Sequence, residues 1–236
     1  MPRDAAAVVL AAGRGRRLGR GNKALLELGG QPVLAWSLRA LAACPSVAAL
    51  VVVMAEEDEA AFRAAFGPLE ALGVTATVPG GAERWESSRA GCRAAPAGLP
   101  LLLVHDAARP FVETGLAEAV LEAARAEGAA LAAEPLADTL KEAFEGAPPR
   151  VRRTLPRAGL WRAQTPQAFA RELLLAAFEG AAGGTPTDEA SLVEALGHAP
   201  VLVPAPSTNL KITTPADLAL AGALAAARRP GSRQET

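Results

Sequence analysis

The sequence predicts an α/β fold, with a Rossmann-like, mostly parallel sheet and helices on both faces, and three observations carry this prediction. Short apolar runs without polar alternation are typical of strands that are covered on both faces. Segments long enough for helices separate these runs, and such repeated β-α-β spacing indicates right-handed crossovers. A glycine-rich, basic loop follows the first run, at the sheet edge where α/β folds bind ligands.

The predicted elements follow one another without a break in composition. The apolar runs predicted as strands are 5–10, 49–54, 101–104 and 129–133. The segments predicted as helices are 33–43, 56–66, 87–94, 113–126, 168–179, 188–196 and 215–227. Because no Ser/Gly-rich linker divides them, we predict one domain over residues 1–228 and a disordered polar tail over residues 229–236.

Residues 138–161 interrupt this alternation, because they show neither a helical stripe nor a buried strand. They alternate weakly on both sides of residues 146–149, whose Gly and Pro content predicts a turn. Two interpretations remain open at this point. The segment is either a surface hairpin or a protruding β-arm that reaches a partner subunit.

The composition excludes several classes of protein. The 236 residues carry 24 Lys and Arg against 25 Asp and Glu, so no overall positive charge attracts nucleic acid or an anionic membrane. The longest apolar runs reach about half of the ~20 residues that a membrane-spanning helix needs. Two cysteines are too few for a disulfide framework or a zinc site, which predicts buried thiols in a reducing, cytoplasmic compartment.

Residues 10–23 read LAAGRGRRLGRGNK and form the first candidate site. Four glycines leave backbone amides free to approach an anion, and five Lys or Arg side chains lie within ten residues. This combination suits a triphosphate with a charge of about −4, and a solvated basic turn is the alternative. The dinucleotide fingerprint fits poorly because its third glycine is displaced, and a Walker loop fits poorly because Ala24 follows Lys23.

Residues 101–110 read LLLVHDAARP and place polar side chains at the same edge of the predicted sheet. Asp106 can hold Mg²⁺ there, since that ion prefers carboxylate, water and phosphate oxygens, and other divalent cations would also suit the site. Arg109 can touch the same phosphates. The structural alternative is that Asp106 caps the following turn. His105 is predicted to be a packed residue at the strand end rather than a catalyst.

Five motifs occur in order along the chain: LAAGRGRRLG followed by a lysine, HDAARP, WRAQTPQ at 161–167, TDEAS at 187–191 and NLKIT at 209–213. Together they resemble the 2-C-methyl-D-erythritol 4-phosphate cytidylyltransferases of non-mevalonate isoprenoid synthesis, across nearly the whole chain. The resemblance implies a nucleotidyltransferase fold and transfer of CMP from CTP to a sugar-alcohol phosphate, with release of pyrophosphate. It also implies Mg²⁺ and a homodimer in which each arm completes the partner's active site.

The resemblance further implies roles for individual residues. Catalytic cations are implied at Arg17, Lys23, Arg157 and Lys211. Contacts with CTP are implied at Leu10, Ala11, Ala12, Gly13, Arg14, Gly15, Arg16, Gly81, Arg84, Ser87 and Ala107. Contacts with the sugar phosphate are implied at Asp106, Arg109, Thr139, Arg157, Thr165, Thr187 and Lys211. Asp106 is also the implied metal-associated carboxylate.

Two positions depart from the pattern of the family. Ala82 stands where the family usually has aspartate, which makes cytosine selectivity a weaker expectation, and Asn22 stands where it usually has proline. The alternatives are a ribitol-5-phosphate cytidylyltransferase, another sugar-phosphate nucleotidyltransferase using GTP or UTP, and a non-catalytic nucleotide sensor. A sensor would be expected to lack Lys23 or Asp106.

The implied reaction needs no general base. Its nucleophile is a phosphate monoester, which is mostly dianionic at pH 7 because its second pKa is about 6. The chain accordingly has only two histidines and no evident Ser-His or Cys-His pairing. Two anions must approach each other, so the sequence predicts catalysis by cation placement and in-line orientation.

Overall fold

The structure is a computed structural model that describes residues 2–13, 22–180 and 186–228. The strands are β1 (Ala5–Leu10), β2 (Glu27–Leu28), β3 (Gln31–Pro32), β4 (Val47–Val53), β5 (Ala76–Val78), β6 (Leu101–Asp106), β7 (Ala129–Pro135), β8 (Leu140–Ala143), β9 (Val151–Leu155), β10 (Trp161–Ala170) and β11 (Val201–Pro204). The α-helices are α1 (Val33–Ala42), α2 (Glu56–Phe66), α3 (Arg84–Ala94), α4 (Thr114–Glu127), α5 (Arg171–Gly180), α6 (Glu189–Glu194) and α7 (Pro215–Ala227). No described helix is long and apolar enough to cross a membrane.

Some of the predictions cannot be compared with these elements. The candidate residues Arg14, Gly15, Arg16 and Arg17 lie outside the described residues, as does the predicted tail over 229–236. Of the basic loop over 10–23, the structure therefore describes residues 10–13 and then Asn22 and Lys23.

The main sheet has seven strands in the order β11-β7-β10-β6-β1-β4-β5. β1 pairs in parallel with β4 and β6, which sets Leu10 opposite Val53 on one side and Asp106 on the other. β10 runs antiparallel to both of its neighbours, β6 and β7, whereas the other described pairs in this sheet are parallel. The predicted fold class is confirmed, and the carboxyl ends of β1 and β6 meet at one edge.

Both faces of the sheet are covered, which explains why its strands read as continuous apolar runs. Val9 of β1 packs into a core with α1, α2 and α4, whereas Val8 points to the opposite core with α3, α5 and α6. Gly91 lets α3 approach the sheet closely, because an added Cβ there would lie only 2.6 Å from Val53 and would also collide with Val8. This contact holds α3 against β1 and β4.

Most predicted elements agree with the structure to within three residues at each end. The segments predicted at 5–10, 56–66 and 215–227 appear with those bounds as β1, α2 and α7. The strands β5 and β11 were absent from the prediction. They are short edge strands with half-exposed side chains, so they carry little of the apolar signal on which the prediction depends.

The helix predicted from residue 168 is wrong at its start. Residues through Ala170 belong to β10, and helix α5 begins only at Arg171. Pro166 has no backbone N–H, and the ladder between β10 and β7 is irregular between Ala163 and Gln167. A proline flanked by short apolar runs looks like a helix boundary in the sequence, whereas pairing with β6 and β7 makes this segment a strand.

Residues within the predicted arm form a separate two-stranded antiparallel sheet of β8 and β9. Glu142 in β8 contacts Arg152 and Arg153 in β9 across this sheet. Two apolar side chains are largely exposed there, Phe144 at 57 % and Val151 at 61 %. Trp161, which the sequence placed at the end of the arm, instead begins β10 of the main sheet.

Candidate active site

A cleft of about 690 Å³ opens at the carboxyl ends of β1 and β6, the edge where open α/β sheets bind ligands. It is lined by Leu10, Ala11, Ala12, Gly13, Asn22, Lys23, Ala24, Gly81, Ala82, Glu83, Arg84, Ser87, Asp106, Ala107, Ala108 and Lys211. Every described residue predicted to contact CTP is among them. Three further candidates, Lys23, Asp106 and Lys211, come from distant parts of the chain to the same cleft.

Asn22 anchors the end of the basic loop to the rest of the fold. Its amide nitrogen donates to the carbonyl of Ala11 and to the carboxylate of Asp58, each at 2.7 Å. Its side-chain oxygen accepts from the amide of Ala24 at 3.0 Å, which caps the 3₁₀ turn that contains Lys23. A residue that departs from the family pattern therefore makes three polar contacts that locate Lys23.

Lys23 joins the first loop of the chain to the segment that precedes α7. Its Nζ donates to the carbonyls of Ile212 and Thr213, each at 3.3 Å. These contacts bring Lys23 close to Lys211, and both lysines line the cleft. Two ammonium groups on neighbouring backbone segments favour an anionic ligand between them.

The segment before α3 forms another wall of the cleft. The hydroxyl of Ser87 donates to the carbonyl of Glu83 at 3.2 Å and accepts from the amide of Gly81 at 3.0 Å. An added Cβ on Gly80 would lie 3.0 Å from Ser87 Oγ and would collide with Ala12, so this close approach requires glycine. Because the single proton of Ser87 is used, its oxygen can only accept a hydrogen bond from a ligand.

Four charged side chains form a series of ion pairs at the base of the cleft. Asp106 contacts Lys211 Nζ at 2.6 Å through one oxygen and Arg84 Nη2 at 3.0 Å through the other. Arg84 also contacts Glu189 at 2.9 Å through Nη1. Glu189 is fully buried, whereas the side chain of Lys211 keeps 39 % of its surface exposed. The series therefore runs from the protein interior to an ammonium group that faces the cleft.

The pKa values of the two carboxyl groups in this series shift in opposite directions. Burial raises the pKa of Asp106, but attraction to Arg84 and Lys211 outweighs it and holds that pKa well below its usual range. At Glu189 burial outweighs the attraction of Arg84, and the pKa is raised. Asp106 therefore carries a negative charge at the base of the cleft. Its side chain does not cap the next turn, which is closed by its carbonyl accepting from Arg109 N at 2.9 Å.

His105 and Thr165 lie directly behind Asp106. Thr165 Oγ1 accepts from the backbone amide of Asp106 at 3.0 Å and lies 3.2 Å from His105 Nδ1. His105 is fully buried, as the sequence predicted for a packed strand-end residue, and burial lowers its pKa to about 4. Thr165 is only 4 % exposed and does not line the cleft.

Arg109 also lies behind the cleft rather than in its lining. Its Nη1 donates to the carbonyl of Asn209 at 2.8 Å, and Asn209 Nδ2 donates to Gln164 at 2.8 Å and to the carbonyl of Thr165 at 3.0 Å. Arg109 Nε is buried without a hydrogen-bond partner among the described residues, and burial lowers the pKa of the guanidinium. This unpaired donor is an exception, because most buried polar groups have a hydrogen-bond partner.

Three predicted substrate contacts lie apart from the cleft within the described subunit. Thr139, Arg157 and Thr187 are exposed, and none of them lines the cleft. Thr139 directly precedes β8 and Arg157 follows β9, so both belong to the region of the arm. The subunit thus brings the described nucleotide candidates together with Asp106 and Lys211, without the side chains of the arm.

The residues at the cleft suit Mg²⁺ only as a site shared with a substrate. Among the described residues, no group of three or more His, Cys, Asp or Glu side chains is arranged to hold a metal. Asp106 and Glu83 are the carboxylates in the described lining. Mg²⁺ commonly uses one or two carboxylates and completes its shell with water and substrate phosphates. Ionised Asp106 fits that role.

Thr187 of the TDEAS motif was predicted to contact the sugar phosphate, whereas no role was predicted for Glu189 of the same motif, which reaches Arg84. A signal was present, because Glu189 begins a short helix whose Ala190, Leu192 and Val193 are all buried. An acidic residue in so apolar a helix needs an interior partner, since an unpaired buried charge is costly.

The sequence matches a known family model over residues 5–226, described as IspD: 2-C-methyl-D-erythritol 4-phosphate cytidylyltransferase. The chain is 51 % identical over 221 residues, 92 % of its length, to a bifunctional enzyme IspD/IspF of Anaeromyxobacter sp. (strain Fw109-5), but it spans only 56 % of that relative. It is 45 % identical over 233 residues to a 2-C-methyl-D-erythritol 4-phosphate cytidylyltransferase of Streptomyces avermitilis, covering 95 % of this chain and 92 % of that protein.

Solved structures show the same similarity. A 2-C-methyl-D-erythritol 4-phosphate cytidylyltransferase from Thermus thermophilus superposes with a TM-score of 0.76 and 39 % identity, covering 93 % of this chain and 98 % of that one. A 4-diphosphocytidyl-2C-methyl-D-erythritol synthase from Anaerococcus prevotii superposes with a TM-score of 0.80 and 28 % identity, covering 93 % and 95 % of the two chains.

Proposed function

We propose that this chain, which belongs to the 2-C-methyl-D-erythritol 4-phosphate cytidylyltransferase family, transfers CMP from CTP to 2-C-methyl-D-erythritol 4-phosphate in isoprenoid precursor synthesis. The observation that carries the proposal is the convergence of Lys23, Lys211 and ionised Asp106 on one cleft at the carboxyl edge of the sheet. Two ammonium groups can stabilise the negative charge of two reacting phosphates, and a carboxylate can hold a divalent cation beside them. The two buried, unpaired cysteines support a reducing, cytoplasmic location.

The bonds of this reaction balance without a proton transfer. A phosphate oxygen of the sugar-alcohol phosphate attacks the α-phosphorus of CTP, the bond from that phosphorus to the bridging oxygen breaks, and pyrophosphate leaves with the electron pair. The attacking phosphate is mostly dianionic at neutral pH. His105 is buried behind the cleft, where it cannot reach an attacking oxygen, which agrees with a reaction that needs no general base.

The chain's own cations would overcome the repulsion between the two anions. Lys23 and Lys211 are held by acceptors that phosphate oxygens can replace: two backbone carbonyls for Lys23 and Asp106 for Lys211. We assign Lys23 to the charge that develops at the α-phosphate and Lys211 to the incoming phosphate. Arg17 joins them in this proposal on the resemblance alone, because it lies outside the described residues.

We further propose that Asp106 holds a divalent cation, with Mg²⁺ as the expected ion. When bound, Mg²⁺ supplies positive charge to the phosphates of the nucleotide and to the departing pyrophosphate. Asp106 remains ionised at neutral pH, so it is ready to take a cation in place of Lys211. Removal of divalent ions with EDTA should abolish the reaction.

A homodimer would supply the groups that the described subunit does not bring to its own cleft. We propose that the arm packs on a second copy of the chain and carries Arg157 to that copy's sugar phosphate. A two-stranded hairpin is marginally stable in water, and Phe144 and Val151 are largely exposed on this one. Twofold interfaces are self-complementary, so the same arm of the partner suits it.

Mixing two inactive variants tests the shared site. An Arg157→Ala chain and a Lys23→Ala chain should form mixed dimers in which one of the two sites has both residues, so activity should return. Native mass spectrometry would verify that the mixed dimers form. Mixed dimers that stay inactive would place Arg157 in the site of its own subunit and would refute the shared arrangement.

The proposed activity is tested by pyrophosphate release from each of four nucleoside triphosphates, with either 2-C-methyl-D-erythritol 4-phosphate or ribitol 5-phosphate. We expect turnover with CTP and the methylerythritol substrate to exceed the other combinations. Ala82 lines the cleft where the family usually has an aspartate, so this panel also measures cytosine selectivity. Equal rates with all four nucleotides, or faster turnover of ribitol 5-phosphate, would contradict the proposal.

A further inference from the structure

The side-chain amide of Asn22 connects three segments of the chain. Its Nδ2 donates to the carbonyl of Ala11 and to Oδ2 of Asp58, each at 2.7 Å. Its Oδ1 accepts from the backbone amide of Ala24 at 3.0 Å. The nitrogen of the amide thus faces two acceptors and the oxygen faces a donor, whereas a reversed amide would place its oxygen against a carbonyl and a carboxylate. The partners therefore fix the orientation of this side chain.

The three partners of Asn22 belong to parts of the fold that are themselves anchored. Ala11 is buried, and its backbone amide donates to the last carbonyl of β4 at 2.8 Å. Asp58 lies in the first turn of α2, and the fully buried Phe62 fixes that helix to the core. Ala24 is buried in the same core as Phe62. Asn22 is therefore attached to the end of β1, to α2 and to the core at once.

The backbone of Asn22 has a conformation that a proline ring would also impose. Its φ is −74°, and proline restricts φ to about −65°. The family that this chain resembles usually has proline here, and a ring fixes this angle without any side-chain partner. In this chain the angle is held by the hydrogen bonds of the amide, and one of them ends on α2.

This anchor determines where the side chain of Lys23 begins. Lys23 follows Asn22 directly, and two backbone hydrogen bonds of 3.1 and 3.2 Å close the turn that contains it. From this turn the side chain reaches the carbonyls of Ile212 and Thr213, each at 3.3 Å from Nζ. A displacement of the turn therefore moves the ammonium group within the cleft.

An alternative role for Asp58 lies in the helix itself. Asp58 is one of four acidic residues in the first turn of α2, the others being Glu56, Glu57 and Glu59, and acidic groups stabilise a helix at its N-terminus. Asp58 is half-buried, however, and a hydrogen bond from an amide to a carboxylate is stronger than one between neutral groups. Because Glu56 is exposed in the same turn, its substitution distinguishes stabilisation of the helix from anchoring of Asn22.

We propose that Asn22 and Asp58 are positioning residues, which attach the turn of Lys23 to the end of β1 and to α2 and so fix where its ammonium group lies in the cleft. Asp58 is outside the described lining of the cleft, so it acts through Asn22. The inference rests on the proposed function, because its effect on turnover passes through Lys23. It gives a role to α2, which contains none of the residues that the sequence assigned to the site.

The side chain of Lys23 can be observed by NMR in the substrate-free protein. The chain has three lysines, Lys23, Lys141 and Lys211, so carbon-13 labelling of lysine gives a spectrum with few signals. We expect the two ε-protons of Lys23 to have separate chemical shifts in the wild type, because the side chain is held in one position. The two shifts should merge in Asn22→Ala and in Asp58→Ala. The signals of Lys141, which lies in the arm, should stay unchanged.

Two further variants control this measurement. Glu56→Ala removes an acidic residue from the same turn of α2 and should leave the Lys23 signals as in the wild type. Asp58→Asn keeps an oxygen that can accept from Asn22 and should retain the separate shifts. Shifts of Lys23 that are already merged in the wild type, or that stay separate in both alanine variants, would overturn the proposal. Equal changes in Asp58→Ala and Glu56→Ala would also overturn it, in favour of a role in the helix.

Turnover tests whether the anchored position matters for the reaction. Asn22→Ala should lower kcat by about 10–100-fold with a smaller change in the KM for CTP, because a small displacement of a catalytic group is costly. Asp58→Ala should lower kcat less, since two contacts of Asn22 remain. In a Lys23→Ala background neither substitution should lower kcat further, because residues that act as a unit are not additive. Undiminished losses in that background would refute the positioning of Lys23.

Asn22→Pro replaces the amide by a ring that fixes the same backbone angle. We expect this variant to keep more of the wild-type kcat than Asn22→Ala does, and Asp58→Ala to have no further effect in it. A full effect of Asp58→Ala in the Asn22→Pro protein would show that Asp58 acts without Asn22, which contradicts the proposal. Because the spectrum of Lys23 needs no substrate, it decides whether the two residues hold this side chain even if the proposed activity fails.

Discussion

Two buried carboxylates at opposite ends of the sheet have almost equal exposure and very different partners. Asp106, at the carboxyl end of β6, is 8 % exposed and is paired with the cations Arg84 and Lys211. Glu118, in α4 near the start of β4, is 9 % exposed and accepts from the thiol of Cys44 at 3.0 Å. It also accepts from the amide and the hydroxyl of Ser46, each at 2.7 Å.

The pKa of each carboxyl lies below its usual range, so the direction of the shift does not distinguish the two sites. Burial alone would raise both values, but cations outweigh it at Asp106, whereas at Glu118 hydrogen bonds from Cys44 and Ser46 outweigh it together with a smaller attraction to Arg125. Neutral donors from a loop next to Glu118 satisfy it within the protein. The cations at Asp106 also face a cleft, where a phosphate or metal can exchange with them. A functional role for a buried carboxylate is therefore indicated by partners that are charged and that face a cleft, and not by the direction of its pKa shift.

Loss of a cation at the cleft should have the largest effect on turnover. Lys23→Ala should lower kcat by roughly 10²–10³-fold, because a preorganised contact with transition-state charge contributes about 2.7–4 kcal/mol. Steady-state pyrophosphate release measures this change, and the KM for CTP should rise much less. Arg93→Ala removes an exposed cation paired with Glu179 and is the matched control. If only the KM rises, Lys23 binds the substrate and the transition state equally well, and its assignment to transition-state charge is wrong.

Neutralising the carboxylate at the cleft should come next in size. Asp106→Asn should lower kcat/KM by about 10²-fold and raise the Mg²⁺ concentration needed for half-maximal activity, since the charge that binds cations is lost. The melting temperature should also fall, because the substitution breaks the ion pairs with Arg84 and Lys211, so turnover is compared per folded molecule. A variant that unfolds while its folded fraction retains wild-type turnover and metal dependence would show that Asp106 is structural.

The corresponding substitution of Glu118, at the opposite end of the sheet, should affect stability and not turnover. Glu118→Gln removes one acceptor from a cluster of buried donors, which should lower the free energy of unfolding by about 1–3 kcal/mol. Urea denaturation measures this loss, and kcat of the folded variant should equal that of wild type. A reduced kcat at unchanged stability would contradict the contrast between the two carboxylates.

The smallest expected effect is the pH dependence of that stability difference. The pKa of Glu118 is lower in the folded protein than in the unfolded chain, where it is about 4.3. The unfolded state therefore binds the proton first as pH falls, so the advantage of wild type over Glu118→Gln is present above that pH and declines below it. Urea titrations of both proteins between pH 7 and pH 3 test this, and a difference that grows on acidification would refute it.

Much of the candidate cleft could be predicted from the sequence. The glycine loop and Asp106 each follow an apolar run, and parallel strands end at the same sheet edge, so their proximity follows from topology. Arg84 was predicted through the resemblance, but its partner Glu189 was not, because the two lie 105 residues apart in sequence. No local pattern specifies which buried acid will meet a given arginine.

The sequence by itself determined the alternation of strands and helices, the sheet edge at which the candidate cleft opens and several of the cations available there. These features depend on near neighbours, through apolar periodicity, glycine content and strand order. The tertiary structure alone decided that residues 161–170 form a strand, that Lys211 pairs with Asp106 and that Thr165 is buried behind the cleft. Each of these outcomes depends on which groups, distant in sequence, come together when the chain packs. The free energy of a buried polar group depends on the partner that it meets there, and local sequence does not specify that partner.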